Sequence, residues 1–173
     1  INVIDMSGMF EGCVNLRVLN VGKFNTKNVQ TMKHMFINCK SLSSLDVSSF
    51  DTSQVTDMSD MFSYMNQLTS LSISHFETSK VINMSQMLRS AGTLYSIAVS
   101  KFNTAQVTDM SGMFYLCSSL SYLDLSSFDT SKVTSFSYFL RYCSKLSELK
   151  MKNLDTSQAN ALSFMFCGCS SLI

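Results

Sequence analysis

Apolar and polar positions repeat along this chain on a fixed schedule of 26 residues. An aromatic opens each unit at Phe24, Phe50, Phe76, Phe102 and Phe128, and Leu154 takes its place in the last. Threonine stands two places on, at Thr26, Thr52, Thr78, Thr104, Thr130 and Thr156. A leucine recurs at Leu16, Leu42, Leu68, Leu94, Leu120, Leu146 and Leu172, with no insertion or deletion between these markers. A fixed period in this range marks a solenoid, in which each unit buries its apolar face against its neighbours.

Two hydrophobic periods follow each other within a unit. Val107, Met110, Met113, Phe114 and Cys117 are spaced by threes and fours, which predicts the apolar stripe of a short helix. Leu120, Leu123 and Leu125 then alternate as a brief strand, with Ser118 and Ser119 marking the turn between. The column Asp5, Thr31, Asp57, Asn83, Asp109 and Ser135 precedes the stripe and holds side chains that cap a helix. In the strand, Leu19, Leu45, Leu71, Ile97, Leu123 and Leu149 are predicted to point inward, as are Val21, Val47, Ile73, Val99, Leu125 and Met151. The expected fold is an α/β repeat solenoid of about 6.5 repeats over residues 1–173, with units starting at 24, 50, 76, 102, 128 and 154. Each 26-residue coil would carry one short parallel strand and one short helix. Strands stacked about 4.8 Å apart would form a sheet roughly 30 Å long.

Composition fits a stack with a plain surface. Apolar residues are 46% and charged ones 14%, below the roughly 25% usual for soluble proteins, and Ser and Thr supply much of the remainder. The net charge is +1 without a basic run, so no nucleic-acid footprint is present. No 18-residue apolar stretch exists to make a membrane span. The chain starts and stops inside a unit, with Ile1 in the phase of Lys27, and neither end resembles a polar cap; a fragment of a longer protein is expected.

Candidate chemistry is sparse. Cys13, Cys39, Cys117, Cys143 and Cys169 share one column whose gaps are filled by Met65 and Ala91, which reads as an apolar slot of reduced thiols. Neighbouring members are close enough in the stack to raise a disulfide, but their Cβ atoms would point the same way. Cys167-Gly168-Cys169 lacks a second ligand pair, so no metal or other cofactor is expected. Methionine columns running from Met6 to Met110 and from Met9 to Met113 lie on the stripe and read as core. The column Asn25, Asp51, Glu77, Asn103, Asp129 and Asp155 allows a calcium ladder, but Asx turns closing on their own backbone fit better. The invariant threonine is expected to form an internal hydroxyl ladder. His34 and His75 occupy different phases, and no nucleophile is set against the His34/Asp60 pair, so an enzyme is not expected.

The frame Leu120-x-x-Leu123-x-Leu125-x-x-Phe128-x-Thr130 resembles the leucine-rich repeat, departing from it at Phe128 and Thr130. With the segment Val-x-x-Met-x-x-Met-Phe-x-x-Cys, it is similar to the BspA-like surface-protein repeat over the whole chain. That resemblance implies a leucine-rich-repeat-like, right-handed stack in a non-enzymatic cell-surface or extracellular protein. It also implies adhesion to a host or matrix protein or a glycan, with flanking repeats of the parent chain as further partners. The outward strand face supplies the candidate ligand-binding residues Tyr122, Asp124, Asp46, Ser72 and Glu148, with Tyr122 as the aromatic anchor. The alternative is a structural spacer or scaffold in a larger assembly, with an intracellular location as its counterpart, which unpaired cysteines in a reducing interior would suit.

Overall fold

The computed structural model describes residues 2–152 and 154–173, and Ile1 lies outside the described residues. The 26-residue unit is one coil of a stack. Asp5, Thr31, Asp57, Asn83, Asp109, Ser135 and Ala161 pair successively as parallel bridges, so one column runs through every coil from first to last. Two coils carry strands, β1 (Tyr122–Asp124) and β2 (Glu148–Lys150), which pair in parallel with Tyr122 opposite Glu148 and Asp124 opposite Lys150. These are the only strands among the described residues; the other coils keep the same inward columns without strand pairing.

The predicted helices are absent from the described residues, and a chain of turns replaces them. In the coil opened by Phe102, the N–H groups of Met113, Tyr115 and Cys117 donate to the carbonyls three residues back, at Met110, Gly112 and Phe114. The alternate N–H groups, of Met110, Gly112, Phe114 and Leu116, donate instead to Ser135, Ser137, Phe139 and Arg141 of the next coil. An α-helix would direct all of them to the fourth carbonyl back within its own segment. A segment this short gains little as a helix, whereas the stack offers an acceptor to every second donor. The geometry requires two left-handed residues in each coil, four places apart. Gly8, Gly12, Gly112 and Gly168 meet that need, and His34, Asn38, Asp60, Tyr64, Gln86, Ser90, Leu116, Tyr138, Tyr142 and Phe164 adopt it without being glycine.

The stripe is buried all the same. Val107, Met110, Met113, Phe114 and Cys117 are all inside, as are the equivalent residues of the coils on either side. The methionine columns are core except at Met9 of the first coil, which is half exposed. Phe10, Phe36 and Phe62 stack along the axis at 5.6 and 5.8 Å between ring centres. Leu88 then interrupts the column.

The threonine column does not make a ladder of hydroxyls. Each Thr26, Thr52, Thr78, Thr104 and Thr130 hydroxyl donates to a backbone carbonyl 25 residues on, at Asp51, Glu77, Asn103, Asp129 and Asp155. At Asp51, Asn103, Asp129 and Asp155 the same residue's N–H donates back to the hydroxyl. Threonine is therefore a clamp between coils, and a buried one.

Candidate binding site

The polar columns are largely consumed by the fold. Asp51, Asn103, Asp129 and Asp155 each accept the N–H two residues on, closing the expected Asx turns. Asp5, Asp57, Asn83 and Asp109 accept in the same way from Ser7, Ser59, Ser85 and Ser111, so the helix-cap column does accept backbone N–H groups, although no helix follows. Among the described residues no group of three or more His, Cys, Asp or Glu side chains converges as a metal site would need. Ser63 Oγ donates to Asp60 at 2.8 Å, and the other Asp60 oxygen lies 3.6 Å from His34 Nε2. The carboxylate stands between hydroxyl and imidazole, an order that does not activate a serine.

All six cysteines are free. Cys39, Cys117, Cys143 and Cys169 donate their S–H to the carbonyls of Phe10, Leu88, Phe114 and Leu140 in the preceding coil. Burial pushes the Cys39 thiol up to about 11 and that of Cys117 up to about 12, and Cys143 and Cys169 shift the same way. These thiols are packed hydrogen-bond donors, far from the reactive thiolate state.

The strand face holds the residues singled out from the sequence. Tyr122, Asp46, Ser72 and Glu148 are exposed and Asp124 is partly so. Asp46 and Asp124 each close a turn on the N–H of Ser48 and Ser126, and the same serines hold both carboxyls below the usual range. Tyr122 Oη donates to Asp124 at 3.4 Å, Lys150 Nζ lies 5.3 Å from the Tyr122 ring centre, and Lys150 pairs with Glu148 at 3.7 Å. Tyr122, Asp124, Glu148 and Lys150 thus form one linked group. Asp46 and Ser72 lie on other coils of the same face. A shallow depression of about 310 Å³ runs from Ser96 to Tyr122 and Asp124.

A larger groove, of about 450 Å³, lies on the turn-chain face. Gln86, Arg89, Ser111, Tyr115, Ser137, Tyr138 and Arg141 are among its lining residues. Arg89, Tyr115 and Arg141 occupy the same phase in three successive coils. Both guanidiniums lie over the Tyr115 ring, at 5.3 and 5.8 Å from its centre. Arg89 is also 4.9 Å from Tyr64, and Arg141 is 5.3, 4.7 and 4.8 Å from Tyr138, Tyr142 and Phe164. Tyr138 and Phe164 stack at 5.6 Å, and Tyr142 lies across Gly168, where an added Cβ would fall 2.2 Å from its ring. The cluster was not among the candidates drawn from the sequence. Its signal was the pair of arginines in one phase flanking a tyrosine.

A family described as Mycoplasma protein of unknown function, DUF285, matches residues 1–93 and again residues 64–172. The chain belongs to this family. No curated protein matches it. Among solved structures, a leucine-rich repeat protein from Eubacterium ventriosum is similar at 18% identity and a TM-score of 0.46, over 96% of this chain and 56% of that one. A leucine-rich repeat protein from Bacteroides ovatus is similar at 17% identity and a TM-score of 0.26, over 95% and 61%. The functional domain of InlJ from Listeria monocytogenes, which includes a cysteine ladder, is similar at 12% identity and a TM-score of 0.18, over 84% and 52%. The chain therefore spans less than two thirds of the length of each of these three proteins. Among the described residues of this DUF285 chain, no helix is long and apolar enough to cross a membrane.

Proposed function

We propose that this chain is a non-enzymatic binding module of a cell-surface protein, one that engages a host or matrix molecule through its lateral faces. The observation that carries the reading is the use of left-handed backbone positions. Gly8, Gly12, Gly112 and Gly168 satisfy the turn chain with no side chain at all. Tyr138, Tyr142 and Phe164 take the same positions with large, partly exposed aromatics, at a conformational cost of about 1–2 kcal/mol each. The fold does not ask for these rings, and strain of this kind gathers at functional surfaces. Exposed aromatics beside arginine are the residue types that anchor interfaces. The resemblance to BspA-like repeats supports the surface location and the adhesive role. The strand face, with Tyr122 and Asp124, is the second contact area in this reading.

The test has two arms. Antibody labelling of intact against permeabilised source cells locates the protein, and the purified chain is screened against immobilised matrix proteins and glycans. Surface labelling and capture that weakens in Y138S/F164S support the reading. Labelling only after permeabilisation, with no capture, would leave an internal scaffold in its place.

A further inference from the structure

The groove between Arg89 and Arg141 has a chemistry more specific than general adhesion. Among the described residues neither arginine has a carboxylate partner: Arg89 donates to the Gln86 side chain, and Arg141 donates to Tyr142 Oη at 3.2 Å. The Nε atoms of both are buried and have no hydrogen-bond partner among the described residues. A buried, unpaired donor on a cation is costly, and a bound anion removes that cost. The two arginines that carry these donors, in the same phase two coils apart, line one groove. The remaining lining offers the hydroxyls of Ser111, Ser135 and Ser137, the Gln86 amide and the rings of Tyr115 and Tyr138. No acidic residue lines it.

Most of the turn-chain N–H groups are already paired here. The N–H groups of Gln86, Gly112 and Tyr138 go to Ser111, Ser137 and Ser163, and those of Arg89, Tyr115 and Arg141 go to the carbonyls of Gln86, Gly112 and Tyr138. An extended peptide would therefore find no continuous ladder of these N–H groups to join. What remains is flat rings, hydroxyl partners and two cations in a space the size of a small-ligand pocket. That set matches a sugar ring, whose C–H face stacks on tyrosine and whose hydroxyls bond serine, carrying an anionic group for the guanidiniums.

We propose that this groove binds an acidic saccharide, a sugar unit bearing a carboxylate or a sulfate. The inference rests on the binding-module reading above. The test is calorimetric titration of the 173-residue chain with a hyaluronan tetrasaccharide, a heparin tetrasaccharide and the uncharged chitotetraose. At least one acidic saccharide is expected to bind, with affinity reduced tenfold or more in R89Q/R141Q and in Y115S. Binding of hyaluronan identifies the carboxylate, and binding of heparin alone identifies the sulfate. Arginine Nε–H resonances of the unaltered chain, followed by NMR, are expected to shift with the acidic sugars only, a readout that holds even if a variant misfolds. Equal binding of chitotetraose, equal binding of a poly-glutamate peptide, unmoved Nε–H resonances, or absence of binding by both acidic sugars would overturn the assignment. Capture of a matrix protein in the screen above, without acidic-saccharide binding, would defeat this inference and leave the binding module standing.

Discussion

Thr104 and Asp129 exchange two hydrogen bonds across neighbouring coils: the Thr104 hydroxyl donates to the Asp129 carbonyl and accepts from the Asp129 N–H, both at 2.8 Å. One small side chain thereby fixes the register of two coils through backbone groups that every residue type except proline carries. Thr104→Val keeps the shape and removes both bonds, at an expected cost of about 1–3 kcal/mol. Thr104→Ser keeps the hydroxyl and should lose much less. Urea unfolding midpoints of the two variants check this; a larger loss in Thr104→Ser than in Thr104→Val would assign the stabilisation to the methyl group.

The turn carboxylates make stability sensitive to acid. Hydrogen bonds from Ser53, Ser131 and Ser157 hold Asp51, Asp129 and Asp155 below the ordinary aspartate value of 3.8. Their contribution is complete above that value and is lost as pH falls through the lower folded values. Asparagine already serves this turn at Asn25 and Asn103. The D51N/D129N/D155N variant is therefore expected to fold and to lose less stability between pH 5 and 2, measured by circular dichroism.

The thiols should react in a fixed order. Cys167 is exposed, whereas Cys39, Cys117 and Cys143 are buried donors to backbone carbonyls. A disulfide reagent at pH 8 is expected to label Cys167 first and to reach those three only on unfolding, as mass spectrometry of the labelled peptides would read. Because Cys39 and Cys117 are shifted up from about 9 to about 11 and about 12, the unfolded chain ionises first. Stability is full below pH 9 and falls as pH rises toward 11. Rapid native labelling of Cys117 would contradict the packing described.

Tyr142 and Gly168 are coupled. Gly168 has φ of +80°, and a Cβ there would meet the Tyr142 ring at 2.2 Å. Gly168→Ala is expected to destabilise by about 1–3 kcal/mol from backbone strain and the clash together. In Y142A/G168A only the strain remains, so the double variant should lose less than the sum of the single ones. Additive losses would mean that the ring does not lie over the glycine.

The burial of Met110, Met113, Phe114 and Cys117 was legible in the sequence because spacing by threes and fours puts them on one side of the chain. The helix was a misreading for the same reason, since a chain of three-residue turns produces that spacing too. What separates the two is where the alternate N–H groups go, and no side chain records that. Glycine at 8, 12, 112 and 168 was the visible trace, spaced by four or by multiples of the coil. The hydroxyl column was recognised as internal, but its partners are backbone atoms, which the sequence shows nowhere. Tyr122 and Glu148 were selected from one outward strand column and Asp46, Ser72 and Asp124 from the column beside it; all are exposed except Asp124, which is partly so. The two aspartates also serve turns, which an outward position does not reveal. Arg89 and Arg141 escaped notice because their phase reads Glu11, Ile37, Ser63, Arg89, Tyr115, Arg141 and Cys167, a column without a rule. The proposed binding groove is built from departures from the repeat.

The alternate N–H groups of the turn chain give the stack an electrical direction. Four in each coil point toward the following coil, from Met6, Gly8, Phe10 and Gly12 at one end to Phe136, Tyr138, Leu140 and Tyr142 at the other, while one in the neighbouring bridge column points back. The peptide dipoles of about 3.5 D therefore add along the axis, as they do in an α-helix. The positive pole lies toward the C-terminal coils and the negative pole toward the N-terminal ones, in a molecule whose described residues include no helix. Along the turn chain every internal coil is thus a polar slab, its donors facing the following coil and its acceptors the preceding one. Charge placed near either pole feels the sum of the coils between.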